Sequence, residues 1–340
     1  MHSAPRRLAL CLGVLGGLFV AAELGLRVFR PVGYRKPLDE SASERHEWKN
    51  RVHEPGSVPG LAYELVPSID TTAEGMHIVT NSLGLRCEEP LDRATPGLVR
   101  VAVVGDSMAF GYGVQQGEDF PARLEHELQA ELGAGRTVEV LNFAVGGYSL
   151  ADELVVLRER ALPLHPDLVV LEYCLNDPEL DAVQPLQAYF RGNEWWQHSH
   201  VLRFLGSRVH GRRIAEYGGG DKWRALHHPD GPYWREVEPL LDEFAHDCAD
   251  CGVPMVALVL PFLTEEPFDV PVAAYRYARE HEFVRRELGE RGFDTLDAAP
   301  LLAAHPPRAT ILAPDDIHLT PFGHDLVAHA LGPKVLAHLR

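Results

Sequence analysis

At 340 residues, 46% of them hydrophobic, the chain has material for one large packed domain or two small ones. Its 49 acidic side chains against 32 basic ones, a net charge of −17, exclude a nucleic-acid backbone as partner, because phosphate binding calls for clustered cations. Beyond that the acidity signals solubility and names no substrate.

Arg6 and Arg7 precede an uncharged apolar run from Leu8 to Ala22, followed by Glu23, Arg27 and Arg30. This is the layout of an export signal. It fits a signal peptide cleaved after Val20-Ala21-Ala22, releasing a secreted domain. It also fits an uncleaved anchor whose helix continues through Leu24, Leu26, Val28 and Phe29. Glu23 and Arg27 stand one helical turn apart and can pair at a membrane boundary, which favours the anchor. The basic residues ahead of the run then stay in the cytoplasm, and everything after residues 1–30 lies outside it. Leu10 precedes Cys11 where lipoprotein processing wants a small residue, so a lipid anchor is not expected.

Residues 31–77, rich in Pro, Gly and charge with little periodicity in their first part, read as an extended linker or a wrap over a domain surface. The pattern then changes to alternating strands and helices. Strands are predicted at Val99 to Val104, Val138 to Asn142, Leu168 to Tyr173, Pro254 to Leu260 and Phe293 to Leu296. Helices are predicted at Phe120 to Leu132, Leu150 to Leu162, Val237 to Cys251, Tyr275 to Arg291 and Pro321 to Leu339. Strands that are unbroken apolar runs, each separated by a helix, indicate a three-layer, doubly wound α/β fold around a parallel sheet. In such sheets ligands bind beyond the carboxyl ends of the strands.

Residues 181–234 interrupt the rhythm with Trp195, Trp196, Trp223, several histidines and Gly218-Gly219-Gly220. A stretch this long suggests a lid or binding insertion with one helix of its own near Ser199 to Tyr217. Its histidines lack a ligand spacing and read as surface or lid residues, so no metal is called for. Its tryptophans either form a platform for a sugar or pack the insertion against the sheet. Five cysteines are too few for a disulfide framework, and Cys248-x-x-Cys251 has no second pair to complete a metal site.

Three strand ends carry chemistry. Gly105-Asp106-Ser107 follows the first strand and projects a serine into the crevice; alone, it is equally an ordinary helix cap. Asp106 and the absence of a following Lys speak against a phosphate loop. After the second strand, Gly147 in Ala144-Val145-Gly146-Gly147 can offer an unobstructed N–H, and after the third, Asn176 can offer an amide donor to a developing oxyanion. Near the C-terminus, Asp315 and His318 are three apart, directly before Thr320-Pro321, which caps the last helix; the carboxylate can orient the imidazole that deprotonates Ser107.

These four segments resemble the SGNH hydrolases, the GDSL-type esterase and lipase superfamily, over roughly Ile78 to the C-terminus, residues 78–340. The lead-in Thr80-Asn81-Ser82-Leu83-Gly84-Leu85-Arg86 is similar to that of membrane-anchored bacterial members. The resemblance implies a flavodoxin-like SGNH fold with Ser107 as nucleophile, Asp315 and His318 as its partners, and an oxyanion hole of the Ser107 and Gly147 N–H groups with Asn176. It implies no cofactor. Met108-Ala109 and Cys174 depart from the family pattern near the acyl pocket, and the Gly-x-Ser-x-Gly elbow of other α/β hydrolases is missing. The expected activity is cleavage of acyl esters, short-chain or O-acetyl, through an acyl-enzyme. Transfer of the acyl group to a cell-envelope or extracellular glycan would use the same residues. A glycan-binding protein without catalysis is the alternative from another class.

Overall fold

The computed structural model describes residues 3–33, 51–180, 190, 195–264, 267–313 and 317–339. The N-terminal apolar run is part of one helix, α1 (Ser3–Phe29). Its stretch Arg7–Phe29, 23 residues, has the length and composition to cross a membrane; at 1.5 Å per residue it covers about 35 Å. Its first turns are uncovered by the other described residues: Leu8, Leu12, Leu15 and Leu18 are each more than 60% exposed.

Two short antiparallel pairs follow, β1 (His53–Pro55) with β2 (Tyr63–Leu65) and β3 (Asp70–Ala73) with β4 (Met76–Val79). The expected linker therefore contains paired backbone in its second half. These strands are three or four residues long, too short for a period of two to stand out from the surrounding polarity.

The core is a five-stranded sheet of β5 (Leu98–Val104), β6 (Thr137–Asn142), β7 (Leu168–Tyr173), β8 (Met255–Val259) and β9 (Asp294–Asp297), ordered β6-β5-β7-β8-β9. All four pairings are parallel. Every residue of β5, β7 and β8 is buried, which is why they read as mainly apolar runs rather than alternating ones, with Arg100 and Glu172 as buried charged exceptions. In this order the connections from the first strand and from the second depart to opposite sides, so a crevice opens beyond the carboxyl ends of β5 and β7.

Helices among the described residues, in chain order after α1, include the short α2 (Ser107–Phe110), α3 (Phe120–Leu132), α4 (Leu150–Val156), α5 (His200–Gly218), α6 (Lys222–Leu226), α7 (Trp234–Asp250), α8 (Ala278–Glu290), α9 (Ala299–Ala303), α10 (Pro307–Thr310) and α11 (Pro321–Leu339). The helix expected over Leu150 to Leu162 is α-helical only to Val156, then continues as a π-helical turn Leu157–Ala161 and a 3-10 turn Leu162–Leu164. Pro163 lacks the N–H that an α-helix would donate there, so the last turns repack.

Candidate active site

The chain leaves β5 at Val104 and turns into α2 within three residues. Asp106 makes that turn rigid. Its Oδ1 accepts the Met108 N–H at 2.8 Å, its Oδ2 accepts Asn176 Nδ2 at 2.6 Å, and its own N–H donates to Glu172 Oε2 at 3.1 Å. Ser107 is thereby held at the first position of α2, among the N–H groups that a helix N-terminus leaves unpaired.

The Ser107 Oγ lies 2.8 Å from His318 Nε2, across 211 positions of chain. This is the separation a proton transfer requires. The segment carrying His318 is pinned on both sides: the Leu312 N–H donates to the His318 carbonyl at 3.0 Å, and the Thr320 N–H donates to Thr310 at 2.8 Å. Thr320 Oγ1 accepts the Gly323 N–H at 3.1 Å, so it caps α11. The Tyr112 ring stands 4.5 Å from the imidazole, its hydroxyl 2.5 Å from Glu74 Oε2. Asp315, the predicted orienting carboxylate, lies outside the described residues.

Gly147 adopts φ +83°, in the left-handed region that favours glycine, at the turn after β6. The neighbouring Gly146 abuts the serine: a Cβ placed on it would lie 3.8 Å from Ser107 Cβ. Tyr63 Oη on β2 donates to the Gly146 carbonyl at 2.9 Å, and Tyr148 Oη donates to the Tyr63 carbonyl at 2.6 Å. The wrap before the sheet thus buttresses the glycine turn. Asn176, after β7, is buried; one N–H of its amide is spent on Asp106, and the second has no acceptor among the described residues. Ser107, His318, Asn176 and the Gly146-Gly147 turn therefore meet at the strand ends.

Two groups were given no role by sequence reasoning. Arg86 is 1% exposed and donates to the carbonyls of Phe110 at 2.8 Å, Gly111 at 2.7 Å and Val114 at 2.9 Å, so it positions the loop that follows the serine. Its only sequence signal was its place in the lead-in motif. Behind Asp106 sit Glu153, Glu172 and Asp177, all fully buried. Burial, reinforced by the neighbouring carboxylates, pushes all three carboxyls well above the usual range. Glu153 could have been noticed as an acid on the apolar face of α4, between Leu150 and Leu154.

Asp106, Glu172 and Cys174 bring potential metal-ligand atoms within 4.8 Å of one another. These atoms bond within the protein: Cys174 Sγ donates to Glu172 Oε1 at 3.2 Å, and Asp106 Oδ2 holds Asn176. In the insertion, His227 is buried rather than at the surface, bonded to Tyr173 Oη at 3.0 Å, and burial lowers its pKa to about 4. Trp223 packs edge-on against Phe262, whereas Trp195 is 77% exposed. All five cysteines are free.

Residues 103–326 match the model of the GDSL-like lipase/acylhydrolase family. Among solved structures, the chain is similar to LAE5, an alpha/beta hydrolase from the metagenome of Lake Arreo, Spain, with 20% identity over 71% of this chain and 94% of that one at a TM-score of 0.44. It is also similar to Axe2, an acetylxylan esterase from Geobacillus stearothermophilus, with 16% identity over 70% and 94% at 0.44. For TesA the figures are 17% over 70% and 99% at 0.42. A search of curated proteins found no match.

Proposed function

The chain belongs to the GDSL-like lipase/acylhydrolase family and is an ester-bond hydrolase, and we propose that it cleaves short-chain acyl esters, O-acetyl among them, by a serine mechanism centred on Ser107. The observation that carries this reading is the 2.8 Å contact between Ser107 Oγ and His318 Nε2. His318 takes the hydroxyl proton as Ser107 Oγ attacks the acyl carbon. The tetrahedral oxyanion is held by the N–H groups of Ser107 and Gly147 and by the second N–H of Asn176. His318 then returns the proton to the leaving alcohol, an acyl-enzyme forms, and water activated by the same imidazole releases the acid. Asp315 keeps the imidazole oriented and stabilises its charged form. The Gly146 backbone and the Tyr112 ring, standing against the Ser107–His318 pair, support a short acyl group.

The apolar character of α1 supports its role as an export signal retained as a membrane anchor, with the catalytic domain outside the cytoplasm. The test of the activity is hydrolysis of p-nitrophenyl esters of increasing chain length by the full chain in detergent, with Ser107→Ala beside it. The native chain is expected to prefer the shortest esters and Ser107→Ala to lose about 10⁴-fold or more in kcat. Equal turnover by the two proteins would sink the serine mechanism. A preference for long chains would sink the substrate assignment alone.

A further inference from the structure

The last turns of α1 do not hang free below the hydrolase. The Glu23 carboxylate accepts Ser199 Oγ at 2.8 Å, the His200 N–H at 2.8 Å and the Val201 N–H at 2.9 Å, so a residue of α1 caps the N-terminus of α5. Arg27 Nε donates to the same carboxylate at 2.8 Å, and its Nη2 donates to the His198 carbonyl at 2.8 Å. A carboxylate and a guanidinium are costly inside hydrocarbon, and here they neutralise each other and the α5 N-terminus, so this joint lies in the headgroup region at the end of the membrane-crossing stretch, and α5 begins at that level.

The outer face of α5 suits such a level. Leu205 and Val209 are 54% and 50% exposed, and the exposed Arg208, Arg212 and Arg213 flank them at helical spacing. In a chain of net charge −17, α5 carries four arginines against one glutamate. At the joint, Arg203 is 2% exposed, with Nη2 2.9 Å from the His200 ring and with Nε and Nη1 unpartnered among the described residues. Arginines flanking two exposed aliphatic side chains suit the headgroup region of an anionic bilayer, where the guanidinium groups meet lipid phosphates.

We propose that α5 lies on the membrane surface, its Leu205–Val209 stripe at the acyl boundary and Arg208, Arg212 and Arg213 on anionic phospholipid headgroups, held there by the Glu23 joint. This rests on the reading of α1 as a retained anchor. The insertion then ties the hydrolase to a fixed height above the bilayer.

The test uses the full chain with the exposed Cys11 and Cys251 changed to serine and a nitroxide on Val209→Cys. A chain without the Val209 change serves as the blank. The protein is reconstituted into vesicles of phosphatidylcholine, with or without phosphatidylglycerol, after intact-mass measurement of the chain extracted from membranes. The label is expected to become several-fold less accessible to a water-soluble nickel chelate when phosphatidylglycerol is present. That change is expected to vanish with Arg208→Glu, Arg212→Glu and Arg213→Glu combined, while ester hydrolysis in detergent stays unaltered. Equal chelate access in both vesicles, with residues 1–30 retained, overturns the surface docking and leaves the anchor standing. Loss of those residues from the extracted chain overturns both.

Discussion

Replacing Asn176 by alanine separates two functions that this side chain combines. Its Nδ2 donates to Asp106 Oδ2 at 2.6 Å, and Asp106 is fully buried, so the substitution leaves a buried carboxylate oxygen unpaired. That costs about 1–3 kcal/mol of stability, the usual price of an unmet buried acceptor. Loss of one oxyanion donor costs a further factor of about 10²–10³ in kcat, or roughly 2.7–4 kcal/mol of transition-state stabilisation. KM should hardly move, because the missing bond is made to an oxygen whose charge develops only in the transition state. Initial rates on p-nitrophenyl acetate give kcat and KM, and urea unfolding of the same preparation gives the stability term. A kcat within about threefold of the native value, together with the expected stability loss, would refute the oxyanion role and leave Asn176 as a support for Asp106 alone.

Two further substitutions test the surroundings of the site. Glu153 has both carboxylate oxygens without a hydrogen-bond partner among the described residues, and burial holds its pKa well above the usual value. Below that usual value both folded and unfolded chains carry the proton. As pH rises past about 4.5 the unfolded chain ionises while the folded one resists, so stability falls by about 1.4 kcal/mol per pH unit until the folded carboxyl ionises. Glu153→Gln should therefore gain on the native protein between about pH 5 and pH 8 in urea midpoint; a pH-independent difference would contradict the burial argument. Gly113, at φ +86°, would place a Cβ 2.0 Å from Leu312 Cδ1. Leu312 Cδ1 is the end of a half-buried side chain that can turn aside, so Gly113→Ala should cost about 1–3 kcal/mol for the left-handed backbone and leave kcat near the native value. A fall in kcat of about tenfold or more would show that the shift passes through the Leu312 N–H to the His318 carbonyl.

The strands and helices of the sheet were legible because their signals are local. Leu168–Tyr173, Phe120–Leu132 and Pro321–Leu339 fall where the apolar runs and caps place them. The placement of Ser107, Gly147 and Asn176 just beyond β5, β6 and β7 was legible too, since a parallel sheet brings groups at successive strand ends into one crevice, and His318 reaches Ser107 there at 2.8 Å. Other features could not be read from neighbouring residues. The hairpins at 53–65 and 70–79 are too short to set up a period, and Tyr63 becomes a support for the Gly146 turn only because the wrap crosses the strand ends 83 positions earlier. Arg86 and Glu153 carry only faint sequence signals, a place in the lead-in motif and a place on the apolar face of α4. Folding buries them, because the carbonyls of the Ser107 loop and the acids behind Asp106 surround them in space rather than along the chain. The joint of Glu23 with the N-terminus of α5 spans about 177 positions, and only the tertiary structure could set a carboxylate against those particular N–H groups. Local periodicity decides which elements form; the burial of polar groups, and the partners that make burial tolerable, are properties of the packed chain.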